Sequence, residues 1–370
     1  MVKRLFEEGM NKVLLIDSTP IGQAPYLDLY AKIFDENLTK WMSFRWDKED
    51  EPGTIELEHL GNMFVVHKKM NLYGMAKYRA FFEVSRLIKQ VIIKENITHL
   101  VIVNSIWAIL LFDCIHDCNI KFILDIRDYK KEKNIVVRNL LPLIIHRSYC
   151  TFISSGGFLD FLPSSEKIFQ IHNIDKKMYT LDLNSNMNFM RQNPLRIGYV
   201  GYVRYDKSNR FLIQALGSCK EFELHYYGSI SKYCTFHKDK ALLTSNVYLH
   251  GPYKNEEKEE IYRKIDIINS LYDDSYAAKV LTPNRIYDAA YYRKPIIVNK
   301  ESYSGVLAQK YNLGFLVDLN SENTKKLESD LLRNYSQFNV NEFLAGSEKF
   351  LADVVRQQNL AISKIKSFIK

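Results

Sequence analysis

Residues 282–298, in the stretch TPNRIYDAAYYRKPIIV, form the first group that could do chemistry. Thr282 can cap a helix in which Pro283 takes the first position, and Asn284 and Asp288 then share one face. A carboxylate near the start of a helix at the edge of a sheet can accept hydrogen bonds from the two hydroxyls of a ribose. The alternative is a solvated helix face, and spacing alone favours that alternative because periodicity does not name a partner.

A second group lies in IGYVGYVRYDKSNRFLIQAL, residues 197–216. A strand ends at Gly201, the following loop carries Arg204 and Lys207, and a helix begins near Ser208. This arrangement suits a phosphate group, because glycine permits close approach of the backbone and the helix N-terminus and the two cations are electropositive. The stretch contains neither a dinucleotide fingerprint nor a P-loop, and two cations are common in loops of this kind.

A third group, in KFILDIRDYKKEK at 121–133, follows a predicted buried strand. Asp125, Arg127 and Asp128 lie at its end, where functional side chains cluster in parallel sheets. An ion pair between Arg127 and Asp128 with a purely structural role explains the pattern equally well.

Residues 64–82, FVVHKKMNLYGMAKYRAFF, mix basic and aromatic side chains. Such a segment suits an anionic membrane surface, and it would equally suit single-stranded nucleic acid. The simpler interpretation, which we favour, places Phe81 and Phe82 in the core and leaves the lysines in solvent.

The elements that position these groups alternate between strand and helix, which predicts parallel sheets built from βαβ units. We expect α/β architecture with two doubly wound, Rossmann-like domains, and a ligand cleft between the carboxyl edges of their sheets. The predicted boundaries are a first domain at 1–173, a polar linker at 174–194, a second domain at 195–338, and a helical segment at 339–370 that packs back on the first domain. The predicted strands are 12–17, 99–104, 121–126, 150–154, 167–171, 195–201, 222–228, 246–251, 266–272, 295–299 and 313–319, with a long helix at 75–94.

The charge, the cysteines and the hydropathy of the chain indicate what kind of partner it binds and in which compartment it works. The chain has 370 residues, a formal charge of +8 and a pI near 8.9, which suits an anionic partner or simply a lysine-rich surface. Its five cysteines include no C-x-x-C pair, so we expect reduced thiols and no zinc site. We find no signal peptide and no membrane-spanning run, and we therefore expect a cytoplasmic protein.

The order of these groups resembles the donor-binding half of GT-B glycosyltransferases, particularly the large retaining family that builds bacterial polysaccharides. The resemblance is specific from 197 to 317 and looser in the first half, where DIRD stands at the place of a frequent H-D pair. The stretches that carry it are IGYVGYVRYDKSNRFLIQAL, NVYLHGPYKNEEKEEIYRKIDIINSLY, LTPNRIYDAAYYRKPIIV and GVLAQKYNLGFLVDL.

The resemblance implies roles for individual residues. Asp288 matches the acid that binds the nucleotide ribose, and Lys207 matches the lysine on the donor diphosphate. Arg204 lies in the same loop, and Tyr202 stands where many relatives carry an arginine. The donor-binding residues implied in this way are Gly201, Tyr202, Arg204, Lys207, Gly228, Gly251, Tyr253, Asp274, Thr282, Pro283, Asn284 and Asp288.

The sequence departs from the family pattern at two places. The acid that usually precedes the ribose acid by eight residues is Val280, and Asp273 or Asp274 would have to supply its contacts with the sugar. Arg127 stands where a histidine is common, which affects any role on the acceptor side.

The resemblance implies transfer of a sugar from a nucleotide-diphosphate sugar to a polysaccharide or lipid-linked oligosaccharide, with retention and without a metal or cofactor. Arg204 and Lys207 would stabilise the leaving group, and Arg127 and Asp128 are weaker catalytic candidates. If the reaction inverts, Asp128 or Asp17 would be the base. The alternatives are a nucleotide-sugar 2-epimerase and an inactive nucleotide-sugar-binding scaffold. The expected partners are the donor, a glycan or polyprenyl-diphosphate-linked acceptor and an anionic membrane surface at the inner face, but no nucleic acid.

Overall fold

The chain folds into two compact units, which we call unit 1 and unit 2. Unit 1 comprises Met1–His172 and Gln357–Lys370, and unit 2 comprises Asn173–Arg356. The computed structural model describes residues 11–19, 24, 26–47, 56–67, 75–129, 132–175, 177–178, 193–319 and 324–370. Most of the predicted linker at 174–194 lies outside these residues.

Unit 1 is built on an eight-stranded sheet with the order β3-β4-β2-β1-β5-β6-β7-β8. Its pairs are parallel except for the hairpin between β3 and β4. The strands are β1 (Lys12–Asp17), β2 (Lys40–Asp47), β3 (Glu56–Leu60), β4 (Met63–His67), β5 (His99–Val103), β6 (Lys121–Ile126), β7 (Cys150–Ile153) and β8 (Ile168–Gln170). The helices are α1 (Leu27–Glu36), α2 (Met75–Lys94), α3 (Ser105–Leu110), α4 (Phe112–Asp117) and α5 (Ile135–Arg147), with a short 3₁₀ turn at Gly156–Asp160.

The sequence pattern did not reveal β2, β3 and β4. β2 reads KWMSFRWD and β3 reads ELEHL, so neither is a continuous apolar run of the kind that marks a buried parallel strand. Arg45 in β2 is nevertheless buried. Residues 64–67, which we took for part of a basic surface segment, form most of β4, and Phe64 is buried.

Unit 2 is built on a six-stranded parallel sheet with the order β11-β10-β9-β12-β13-β14. Its strands are β9 (Leu195–Val200), β10 (Phe222–Tyr227), β11 (Val247–Gly251), β12 (Ile267–Ser270), β13 (Ile296–Asn299) and β14 (Gly314–Val317). Its helices are α6 (Asp206–Leu216), α7 (Lys258–Lys264), α8 (Tyr276–Val280), α9 (Asn284–Tyr291), α10 (Tyr303–Lys310) and α11 (Thr324–Ser336), with 3₁₀ turns at Phe236–Lys238 and Asn255–Glu257.

Both sheets have a point where the strand order reverses direction. In unit 1 the chain builds outward from β1 and then returns to add β5 on its other side. In unit 2 the same reversal falls between β9 and β12. The carboxyl ends of the two strands at such a point diverge and leave a crevice, which is the usual ligand position in doubly wound sheets.

The C-terminal helix, α12 (Val340–Phe368), contributes residues to both units. Phe343 and Phe350 are buried in the core of unit 2, whereas Ile365 and Phe368 are buried in the core of unit 1. Gln358 accepts a hydrogen bond from the His172 amide at 2.7 Å and so holds the point where the chain leaves unit 1. The predicted segment 339–370 is thus largely one helix, and its residues from Gln357 onward belong to unit 1.

None of the helices in the described ranges is both long enough and apolar enough to cross a bilayer. The five cysteines are free thiols, and Cys114, Cys150 and Cys234 are buried.

A close approach of two glycines shapes the carboxyl edge of the unit 2 sheet. Gly201 and Gly228 follow β9 and β10, and their φ angles of 124° and 135° are positive. A Cβ on Gly228 would overlap the carbonyl oxygen of Gly201. Glycine at 228 therefore lets the two strand ends pass each other where any side chain would push them apart.

We expect Gly228→Ala to destabilise unit 2 by about 3 kcal/mol or more, because it combines an unfavourable φ with backbone overlap. Gly251→Ala is the matched control, since Gly251 also has a positive φ of 77° but open space around its Cβ position. The control should cost about 1 kcal/mol. Urea unfolding followed by tryptophan fluorescence and circular dichroism measures both, and equal losses would contradict the packing argument.

Candidate active site

A cavity of about 330 Å³ opens at the reversal point of the unit 2 sheet. Its walls come from the ends of β9 and β12, the loop before α6, and the start of α9. The residues that line it include Tyr199, Gly201, Tyr202, Arg204, Tyr205, Tyr253, Lys258, Tyr272, Thr282, Pro283, Asn284, Arg285 and Asp288. The volume is within the range of small-molecule sites.

Helix α9 brings three polar side chains to this cavity, those of Asn284, Arg285 and Asp288. It begins at Asn284, one residue later than expected, because Pro283 is extended (φ −72°, ψ 149°) and serves as the N-cap in place of Thr282. Ile286, Ala289 and Ala290 are fully buried and pack the helix against the sheet. The opposite polar row then faces the cavity, so that Asn284 and Asp288 both line it.

Asp288 is buried, with 3% of its surface exposed, and both of its carboxylate oxygens have partners. Lys258 Nζ lies 2.8 Å from Oδ1, and the Tyr262 hydroxyl donates to Oδ2 at 2.8 Å. These bonds join α9 to α7 and fix the carboxylate at the cavity wall. A ribose that binds Asp288 must therefore share Oδ1 with the half-buried ammonium group of Lys258 or displace it.

Arg285 occupies the floor of the cavity, and only 7% of its surface is exposed. Its guanidinium lies 3.9 Å from the centre of the Tyr199 ring. Nε donates to Ser270 Oγ at 3.3 Å and Nη2 donates to the Tyr272 hydroxyl at 2.9 Å. Nη1 lies 3.8 Å from the position that a Cβ on Gly201 would take, beside the cavity wall.

Tyrosines supply most of the remaining polar atoms of the wall. Burial raises the pKa of Tyr205 to about 12. Burial also raises the pKa of Tyr253, and the negative charge of Asp288 adds to this effect. Both hydroxyls are therefore protonated at neutral pH and can donate hydrogen bonds to a ligand.

The structure does not bring every predicted residue to this cavity. Lys207 is exposed on the first turn of α6 and does not line it. At the same turn the Ser208 amide donates to Asp273 Oδ1 at 2.7 Å, so a carboxylate already occupies one of the N–H groups that we assigned to phosphate.

Asp274 lines a separate small pocket and lies 3.3 Å from Lys279 Nζ. Gly228 and Gly251 lie behind the wall, where the Gly228 amide donates to the Gly251 carbonyl at 2.7 Å. Val280 is buried at the end of α8, so the position of the usual second acid is part of the core.

A second, much smaller cavity of about 50 Å³ lies at the reversal point of the unit 1 sheet. Asp17, Arg127 and Asp128 line it, together with Thr19 and Asn104. Asn104 has a φ of 93°, a conformation that non-glycine residues rarely adopt and that clusters at functional sites. This cavity thus gathers the catalytic candidates of the first half of the chain.

The sequence left open a purely structural ion pair between Arg127 and Asp128. Arg127 instead forms its ion pair with the fully buried Asp125, at 2.6 Å. Burial raises the pKa of Asp17, although Arg45 at 3.6 Å and hydrogen bonds from Thr19 oppose the shift. A raised pKa is the property that a carboxylate requires to act as a base near neutral pH.

Sequence reasoning missed Arg285 and Lys258. Arg285 precedes Ala289 by four residues and therefore lies on the buried stripe of α9, where a charged residue is unexpected. A charged residue on the buried stripe of a helix could therefore have identified Arg285 from the sequence. The sequence gives no such signal for Lys258, because it stands in the charged run KNEEKEE and only the fold pairs it with Asp288.

The chain matches no protein-family profile, and no curated protein matches its sequence. Solved structures do superpose on it along almost its whole length. HepE from Anabaena, in complex with UDP, has a TM-score of 0.66 at 12% identity, and the alignment covers 97% of this chain and 100% of that one.

Two further structures give similar values. The lipopolysaccharide outer core galactosyltransferase WaaB has a TM-score of 0.66 at 12% identity, covering 96% of this chain and 99% of that one. Sucrose-phosphate synthase from Thermosynechococcus elongatus has 0.65 at 11% identity, covering 95% and 96%. These likenesses confirm the expected GT-B fold, with two doubly wound parallel-sheet domains and a C-terminal helix.

We expect Lys258→Met to destabilise unit 2 by about 2 kcal/mol, because it leaves the buried Asp288 carboxylate without its cation. Adding Asp288→Asn should recover at least half of that loss, since the charge that needed compensation is then absent. Lys279→Met, which breaks the exposed pair with Asp274, is the control and should cost less than about 0.5 kcal/mol. Strictly additive losses in urea unfolding would show that Lys258 does not stabilise Asp288.

Proposed function

We propose that the protein is a glycosyltransferase that moves a sugar from a nucleoside-diphosphate donor to a glycan acceptor. The observation that carries this proposal is the unit 2 cavity, in which a buried carboxylate and two arginines face one space at the sheet reversal point. A carboxylate suits the ribose hydroxyls and the arginines suit the diphosphate. Structures with the same fold support the assignment, since one holds UDP and another is a galactosyltransferase.

The chemistry follows from where charge develops. The bond between the anomeric carbon and the diphosphate oxygen breaks, and its electron pair goes to the diphosphate. The acceptor oxygen forms the new bond to that carbon and releases its proton. Positive groups that contact the departing diphosphate stabilise the transition state more than the ground state, so they accelerate the reaction. Arg204, in the loop before α6, is one such group.

Retention of configuration and independence from metal are part of the proposal. Arg204 supplies positive charge of the kind that a divalent cation supplies elsewhere. If the reaction instead inverts, Asp17 or Asp128 in the unit 1 cavity is the base candidate that receives the acceptor proton. We assign the acceptor side to unit 1, with a polysaccharide or a polyprenyl-diphosphate-linked oligosaccharide as the acceptor.

A thermal-shift screen of nucleoside diphosphates and their sugar conjugates tests the donor site. A ligand at 100 times its dissociation constant adds about 2.7 kcal/mol, or roughly 5–10 °C for a domain of this size. We expect Asp288→Asn to lose at least half of this shift. Asp274→Ala is the matched control, because Asp274 lies outside the cavity, and it should keep the full shift.

Turnover assays separate the proposed reaction from its alternatives. Sugar transfer, or slow hydrolysis of the donor, supports the glycosyltransferase. Isomerisation at C2 of the donor sugar would indicate an epimerase, and nucleotide binding without turnover would indicate a scaffold. If no nucleotide stabilises the wild-type protein, the donor-site proposal is wrong.

We further propose that unit 1 contacts an anionic membrane at the cytoplasmic face, where a lipid-linked acceptor would lie. Helix α2 supports this, because Tyr78, Phe82 and Arg86 follow at i, i+4 and i+8 on one exposed face. Phe81 is buried, but Phe82 is 58% exposed, contrary to the interpretation that places both in the core. Lys68, Lys69 and Tyr73 lie outside the described residues.

Flotation with vesicles containing anionic lipid tests the membrane contact at low salt. The wild-type protein should float, and Tyr78→Ser with Phe82→Ser should reduce the floated fraction several-fold, because the apolar anchors are gone. Tyr233→Ser removes an even more exposed tyrosine from unit 2 and should change nothing. Absence of wild-type binding at low salt would exclude the contact.

A further inference from the structure

Among the described residues, Arg285 is a buried cation that forms no ion pair with a carboxylate. Its polar contacts there are to neutral hydroxyls, those of Ser270, Tyr272 and Tyr199, and its flat face covers the Tyr199 ring. Burying an unpaired charge is costly, because water is lost and no carboxylate replaces it. A fold that keeps such a charge at a cavity floor is suited to an anion that arrives from outside.

The contacts of Arg285 also fix its orientation. The ring of Tyr199 holds one face of the guanidinium, while Ser270 and Tyr272 hold Nε and Nη2. Nη1 lies beside Gly201 at the cavity wall, 3.8 Å from the position that a Cβ on Gly201 would take. A guanidinium restrained in this way loses little rotamer freedom when it binds a planar pair of oxygens.

We propose that Arg285 binds a phosphate of the nucleotide diphosphate and is a catalytic residue that stabilises the leaving group. This inference rests on the proposed function and adds a residue to it. Arg285 takes the place that the sequence assigned to Lys207, which does not line the cavity. The diphosphate thereby lies over the floor of the cavity, between Arg285 and the exposed loop that carries Arg204.

The charge of the cavity fits this ligand. Lys258 is neutralised by Asp288 at 2.8 Å, so Arg204 and Arg285 are the surplus positive charges among the residues that line it. Two positive charges match a diphosphate, which carries two negative charges in a nucleotide sugar. The leaving diphosphate then gains negative charge directly above the buried guanidinium, where a low local dielectric strengthens the attraction.

Calorimetric titration of Arg285→Met with uridine, UDP and inorganic pyrophosphate tests the assignment. We expect the affinity for UDP and for pyrophosphate to fall about 30- to 100-fold, as for the loss of a charge-assisted hydrogen-bond pair, and the affinity for uridine to change less than about twofold. Arg285→Lys keeps the charge without the forked geometry and should lose about tenfold. Arg263→Met, an exposed arginine on α7 outside the cavity, should match the wild type.

The three ligands separate a phosphate role from a structural one. If Arg285 only supports the fold, Arg285→Met will reduce the affinity for uridine as much as the affinity for UDP. Arg285→Lys, which folds more readily, will then behave in the same way. Either result overturns the inference. Equal UDP affinity in wild type and a folded Arg285→Met does so too. If Arg285→Met weakens the binding of both UDP and pyrophosphate, but the wild type neither transfers a sugar nor hydrolyses a donor, the phosphate assignment stands and the glycosyltransferase proposal fails.

Discussion

The stacking of the Arg285 guanidinium on Tyr199 is the interaction on which the unit 2 site depends. Through it and two hydrogen bonds, one side chain joins the end of β9, the end of β12 and the first turn of α9. Those are the elements that meet where the strand order reverses. Gly201 leaves the space above it open, because it places no Cβ into the wall. The cavity therefore depends on the missing side chain of glycine as well as on the side chains that line it.

The two reversal points hold cavities of opposite character. The unit 2 cavity combines surplus arginines with one neutralised carboxylate, which suits an anionic ligand. The unit 1 cavity is small and rich in carboxylates, with a strained asparagine at 104, which suits a hydroxyl group that gives up a proton. One topology repeated twice thus carries two different electrostatic environments, which under the proposed function serve the leaving group and the nucleophile.

The fold was largely predictable from sequence, because buried parallel strands are continuous apolar runs and helix α2 has a clear apolar stripe. β2 to β4 were not, since Arg45 is buried by tertiary contacts that no local pattern encodes. Asp288 was predicted as a ribose ligand from the order of motifs, and it lines the cavity. Its pairing with Lys258 was not predicted, because the two residues are 30 positions apart. Lys207 was expected in the loop before α6 but lies on the first turn of that helix. Neither Lys207 nor Asp274 lines the cavity, because sequence does not say which way such side chains point.

Helix α12 has a consequence for the order in which the protein is made. Unit 2 is one uninterrupted stretch of chain and can fold as soon as it leaves the ribosome, since domains generally fold as units during synthesis. Unit 1 cannot, because Ala361, Ile365 and Phe368 complete its core and are translated after all of unit 2. Part of the apolar surface of unit 1 therefore stays exposed until the last turns of α12 have been synthesised. Apolar surface that is exposed in this way makes an incomplete chain prone to aggregation.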